Sequence, residues 1–134
     1  MTVKELSQLY YLKREIKHDQ RRLEALEGQI GVGATVLDGM PKAPNWNNSK
    51  VERLAVEIVD LRAIIAAKQI QLIHEQQRLE RFINAVSDSE TRLILKLRFV
   101  DGLAWELVAK HLGEGHTADR VKKVCYRYLN ETEA

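Results

Sequence analysis

Apolar residues recur every seven positions along two stretches of the chain. The first series is Leu9, Ile16, Leu23 and Ile30, with Leu12 and Leu26 at companion positions and Asp19 as an interruption. The second is Val51, Ile58, Ile65, Leu72, Leu79 and Val86, accompanied by Leu54, Leu61 and Phe82 and interrupted by Lys68 and Glu75. A period of seven slips against the helical turn, so helices carrying it are expected to wrap left-handedly around a partner. The residues between are Glu, Arg, Gln and Lys, as a solvated outer face requires.

Helix one is expected over roughly residues 3–28, about 39 Å, and helix two over 50–86, about 55 Å. Ser49 and Glu52 have the spacing of a capping box and predict the start of helix two near Lys50. The shorter helix cannot cover the longer, so part of the second seam should meet the C-terminal segment or another subunit. Val51, Ile58, Ile65, Leu72 and Leu79 are the candidates for pairing subunits into a homodimer, and a purely monomeric bundle core is the alternative. Residues 29–48 hold Gly31, Gly33, Gly39, Pro41 and Pro44 and read as a connection of about twenty residues, long for a helical hairpin. Trp46 favours local docking of this segment. Its length permits parallel or antiparallel helices, of which antiparallel is expected.

Ser87 with Glu90 forms a second capping box, opening a third helix over Asp88 to Val100 that Gly102 stops. Ala104 to Leu112 follows as a short helix closed by Gly113. A cap at Thr117 or His116 begins a last helix through about Asn130, burying Val121, Val124, Tyr128 and Leu129. The predicted fold is all-α. A long two-helix coiled-coil-like hairpin over 1–86, with its linker at 29–48, precedes a three-helix helix-turn-helix unit over 87–134.

At 134 residues there is room for one ordinary domain or two very small ones. No stretch approaches the roughly 20 apolar residues that span a bilayer, so no membrane partner is expected. The N-terminus carries Lys4, Glu5, Lys13 and Arg14 where a signal peptide needs an apolar run, and the single Cys125 cannot form an internal disulfide. A reducing cytoplasm is the expected location. His18, His74, His111 and His116 are scattered, with no metal-ligand spacing, no CxxC and no nucleophile beside a base. Gly31-Val32-Gly33 lacks the remaining glycines of a dinucleotide loop. Neither an enzymatic activity nor a cofactor is expected.

A net charge of +2 does not by itself point to nucleic acid. Basic and acidic residues balance nearly everywhere, 8 against 8 in residues 87–134. Within that segment, however, Arg120, Lys122, Lys123 and Arg127 follow one another without an acid. Two short helices joined by a Gly-containing turn, after a supporting helix, make a helix-turn-helix pattern whose last helix reads a major groove. The candidate DNA contacts are Thr117, Ala118, Arg120, Lys122, Lys123 and Arg127. Arg120 is the first choice for a base edge, because Arg pairs with two acceptors on guanine, while Lys suits phosphate. The alternative is a solvated helix face. Asp119 either caps the helix or reads cytosine, with the cap preferred. Trp105, Tyr126 and Tyr128 are expected to pack rather than stack on bases, and Cys125 to be a small buried or half-buried residue.

The stretch LILKLRFVDGLAWELVAKHLG followed by VKKVCYRYL resembles region four of sigma-70-type factors. With the helical N-terminal half and the linker NWNNSKVERL, the chain is similar to small phage regulators of the ArpU-like and RinA-like group. The resemblance implies a sequence-specific transcriptional regulator, phage or prophage encoded, that binds double-stranded DNA, with RNA polymerase as a candidate partner. The seven residues between Gly113 and Val121 exceed the usual sigma-type turn, and Val108 stands where Ile is commoner. The competing function is a helical adaptor or assembly protein that binds another protein through the 51–86 stripe.

Overall fold

The first helix begins where side chains can satisfy its free N–H groups. Thr2 and Glu5 do this reciprocally: Thr2 Oγ1 accepts from the Glu5 amide at 3.1 Å, and Glu5 Oε2 accepts from the Thr2 amide at 2.9 Å. The Glu5 carboxyl is held below its ordinary range, chiefly by this backbone bond. From this box α1 runs Val3–Leu37, α2 runs Trp46–Asn84, and α3 is Ser89–Leu95. A π-helical turn, Lys96–Val100, leads to α4, Trp105–Leu112, and α5, Ala118–Glu133. The computed structural model describes the backbone of residues 1–37 and 46–133 and the side chains of 1–30 and 49–132. Among the described residues every regular element is helical, so the fold is all-α.

Two of the expected helix starts are displaced. Helix two begins at Trp46, so Ser49 and Glu52 lie inside it, and the Ser49 hydroxyl accepts instead from Arg53 Nη2 at 3.5 Å. The expected linker 29–48 is correspondingly shorter, since α1 continues through Gly31 and Gly33 to Leu37. Gly39, Pro41, Pro44 and the docking of Trp46 lie outside the described residues. The third helix is capped by Asp88, not Ser87: Asp88 Oδ2 accepts from the Thr91 amide at 3.1 Å and the Thr91 hydroxyl at 2.7 Å.

The chain divides into two compact units, Arg14–Gln71 and the combination of Met1–Lys13 with Leu72–Ala134. This differs from the expected 1–86 and 87–134, because the first turns of α1 and the last of α2 share a core with the C-terminal helices. Leu6 and Leu9 are buried with Leu79, Ile83 and Val86 against Ile94, Leu95, Phe99 and Val108. The end of the second seam therefore meets the C-terminal segment, one of the two fates its length required.

In the Arg14–Gln71 unit the α1 and α2 segments run antiparallel, with Arg62 on Glu27 at 2.6 Å and Lys68 on Asp19 at 2.6 Å. Leu26, Ile58, Leu61 and Ile65 form its core, flanked by Leu23, Ile30 and Leu54. Of the residues considered for subunit pairing, Ile58, Ile65 and Leu79 are thus buried within the chain, and Val51 and Leu72 are half-buried. The two polar interruptions Asp19 and Lys68 meet each other, and Lys68 Nζ also reaches Glu15 Oε2 at 2.9 Å. One polar layer of this kind fixes the register of two seams that would otherwise tolerate sliding by seven. The hydrogen bond from Lys68 holds the Asp19 carboxyl below its ordinary 3.8, and the carboxylates raise the Lys68 ammonium above its ordinary 10.5.

Lys68→Leu is expected to lower stability in urea unfolding by about 1 kcal/mol, since Asp19 is left on an apolar seam. The double variant Asp19→Leu/Lys68→Leu is expected to recover the loss. A depressed carboxyl stabilises above its unfolded pKa and a raised ammonium below its own. The wild-type advantage over Lys68→Leu should therefore be constant between these limits, shrink as the pH falls below 3.8, and shrink again as it rises past 10.5. An advantage that grows with acid would contradict the assignment.

Candidate nucleic-acid interface

The last helix is seated by one apolar stripe. Val121 and Cys125 are fully buried and Leu129 nearly so, in one cluster with Ile94, Leu95, Val108 and Ala109. Val124 and Tyr128, expected inside, are half-buried at its margin. Burial pushes the Cys125 thiol up to about 12, against a smaller opposing effect of Arg98. This cysteine is consequently a packing residue with no thiolate at neutral pH.

Three glycines with positive φ, Gly102, Gly113 and Gly115, deliver the chain to α5. Gly102 (φ 71°) ends the π-helical turn, and Gly113 (φ 99°) ends α4 with its amide donating to the Lys110 carbonyl at 3.3 Å. Thr117 caps α5, its hydroxyl accepting from the Arg120 amide at 3.2 Å. Asp119 therefore is not the cap. It sits exposed in the first turn, where its charge complements the helix dipole.

A polar and aromatic chain fixes the π-helical turn, α4 and α5 to one another. Arg98 Nη1 donates to the Leu103 carbonyl at 2.9 Å while its guanidinium lies 4.6 Å from the Trp105 ring centre. Trp105 meets Tyr126 edge to face at 6.1 Å, and Lys122 Nζ stands 5.9 Å from the Tyr126 ring. Lys13 Nζ donates to the Val100 carbonyl at 3.2 Å and ties α1 to the same turn. Trp105 and Tyr126 are thus packing residues. The Lys122 and Tyr126 pair was legible at its i, i+4 spacing, whereas Arg98 and Trp105 have no local sequence signal.

Arg120, Lys123 and Arg127, opposite the buried stripe, and Lys122, beside it, are all exposed, and none is in an ion pair among the described residues. Thr117, Arg120, Lys123 and Arg127 border one open hollow of about 460 Å³, together with Asp119 and Val124. Lys122 leans instead toward Tyr126. Ala118 borders a different hollow of about 600 Å³ whose wall includes Glu106, Lys110 and His116. The six expected contact residues therefore separate: four surround one concavity, while Lys122 and Ala118 face elsewhere. Three cations and one acid, Asp119, around this hollow leave a net positive field that suits an anion.

His116, just before the cap, places Nδ1 3.9 Å from Glu90 Oε1, and neither buried atom has a hydrogen-bond partner. Among the described residues no group of three or more His, Cys, Asp or Glu side chains could hold a metal ion. No described helix is long and apolar enough to cross a membrane. No protein-family model, characterised protein or solved structure matches the chain.

Because Cys125 is buried under α5, its alkylation should require opening of that helix. Thr117→Ala removes the cap and costs about 1 kcal/mol, so labelling by iodoacetamide at pH 8 is expected to accelerate about fivefold. Labelling of the wild type at the rate of a free thiol would contradict this packing.

Proposed function

We propose that the chain is a sequence-specific DNA-binding transcriptional regulator, of the phage or prophage kind its sequence resembles, that lays α5 in the major groove. The observation that carries this reading is the division of α5 into two faces. Val121, Cys125 and Leu129 are buried, while Arg120, Lys123 and Arg127 stand exposed and unpaired around one hollow. A helix of 16 residues, about 24 Å long, is of the size that a major groove admits.

The roles follow from position along the helix. Arg120 lies in the first turn, nearest the base edges in a helix that enters the groove by its N-terminus, and its planar fork suits the two acceptors of guanine. Lys123 and Arg127, one and two turns on, suit backbone phosphates. Thr117 can serve both as cap and as a hydroxyl contact to phosphate. Lys122, drawn toward Tyr126, is a weaker candidate than its charge alone suggested.

The adaptor reading draws on a specific feature as well: α2 exposes Val56, Val59, Ile70 and Ile73. These residues are compatible with DNA binding by α5, and they leave its unpaired cations without an account.

Gel-shift titrations at two salt concentrations test the assignment. Lys123→Ala is expected to weaken binding to all duplexes and to reduce the slope of log K against log salt by about 0.9. Arg120→Ala is expected to cost about 1–3 kcal/mol at its preferred site and to relax discrimination at one base pair. Unchanged affinity in both variants would contradict the proposal.

A further inference from the structure

Among the described residues, two buried side-chain atoms lack a hydrogen-bond partner, Glu90 Oε1 and His116 Nδ1, and they lie 3.9 Å apart. Buried polar atoms ordinarily find partners, because an orphan keeps the penalty of leaving water. The separation is about 1 Å too long for a charge-assisted hydrogen bond and too short to seat a water in line between the two atoms. What is missing is a proton. A neutral imidazole carries one N–H, and with that proton on Nε2 the Nδ1 lone pair is set against a carboxylate oxygen. An imidazolium donates from both nitrogens, so protonation turns two opposed acceptors into an ion pair and satisfies both atoms at once.

The pair joins two places that matter for α5. Glu90 lies in the first turn of α3, and His116 immediately precedes the Thr117 cap. From the end of α4 to that cap the chain reads Gly113, Glu114, Gly115, His116, with both glycines at positive φ. Glycine gives the backbone its greatest freedom, and Glu114 is exposed, so the half-buried His116 side chain is what can tie this loop to α3. Glu90 has no competing claim from its neighbours: Arg92 donates to the Val86 carbonyl and the Ser89 hydroxyl, and Asp88 accepts from Thr91.

We propose that His116 and Glu90 are a proton-operated latch: protonation of the imidazole closes the pair, holds the loop against α3 and fixes the direction in which α5 starts. Both are then positioning residues that act on DNA only through α5, a consequence that rests on the DNA-binding reading. The other charges facing the imidazole belong to the hollow it borders, Glu106 and Lys110 from α4 and Glu114 from the loop. The first charged residues of α5, Asp119 and Arg120, border the other hollow. With Glu90, the imidazole meets three carboxylates and one ammonium, so its proton faces no excess of cations. The side chains of His116 and Glu90 are 21% and 40% exposed, which screens the pair and keeps the effect of closure modest. An imidazole ordinarily changes charge between about pH 5 and 8, so the latch is closed toward the acid end of that range and open toward the other.

A double-mutant cycle on the full chain tests the latch. Wild type, Glu90→Gln, His116→Gln and the double variant are unfolded in urea at about pH 6 and about pH 8. The expected coupling is about threefold in the unfolding constant at the lower pH and absent at the higher. By NMR, the titration midpoint of the His116 ring should fall by about half a pH unit in Glu90→Gln, the same threefold factor. Coupling that is absent or equal at both pH values, or a midpoint that does not move, would overturn the proposal. The consequence for DNA is read as the ratio of affinities for a duplex enriched from a random pool and a scrambled duplex of the same length. One more positive charge near phosphates raises both affinities alike, whereas a better-positioned helix raises the ratio. The ratio is expected to rise about threefold from about pH 8 to about pH 6 in wild type and to stay level in Glu90→Gln. A ratio that is level in wild type, or that rises equally in both proteins, would overturn the positioning role. Failure to enrich any duplex, with the coupling present, would overturn the DNA-binding reading and leave the latch standing.

Discussion

The exclusion of water from Val121, Cys125 and Leu129 decides what α5 can offer to a partner. These three side chains are at most 2% exposed, and they rest on Ile94, Leu95 and Val108, which are equally buried. Rotating the helix to hide Arg120 or Lys123 would expose the apolar stripe and bury charge, two unfavourable changes at once. Exposure of the cations is therefore a consequence of core packing. The same packing explains the thiol of Cys125, pushed up to about 12 by the surroundings that hold the helix.

Around that core, polar contacts act as locators. Asp88 caps α3 through Thr91, whose hydrogen bonds also hold the Asp88 carboxyl below its ordinary range. Arg98 reads the carbonyl of Leu103 and the face of Trp105 together, which sets the path between the π-helical turn and α4. In the Arg14–Gln71 unit, Lys68 with Asp19 and Glu15 does comparable work for register. None of these contacts need contribute much net stability, since each exchanges water for protein partners. Each does penalise an alternative arrangement in which it is broken.

Much of this was legible in residue order, because seven-residue periodicity and the two-faced last helix are local properties. The α4 limits at Ala104 and Gly113 follow from local chemistry and stand in the structure. The misses share a cause. Two Ser-x-x-Glu spacings predict helix starts at Ser49 and Ser87, yet helix two begins earlier and the cap of α3 is Asp88, which accepts from the Thr91 amide. The Thr2 and Glu5 box, by contrast, has the same three-residue spacing and does form. Asp19 and Lys68 each looked like a defect in its own seam. Only antiparallel pairing, which sequence left open, makes them partners. The grouping of Thr117, Arg120, Lys123 and Arg127 around one hollow, with Lys122 turned to Tyr126, also required coordinates, because it depends on side-chain direction more than on spacing.

The central claim is that the exposed face of α5 is where a duplex binds. Selection from a random duplex pool, followed by titration of the isotope-labelled chain with the recovered DNA, tests it most directly. The expected result is a recovered consensus, with amide shifts concentrated between Thr117 and Arg127 and little change in residues 14–71. Failure to enrich any duplex, or shifts confined to surfaces away from α5, would contradict it.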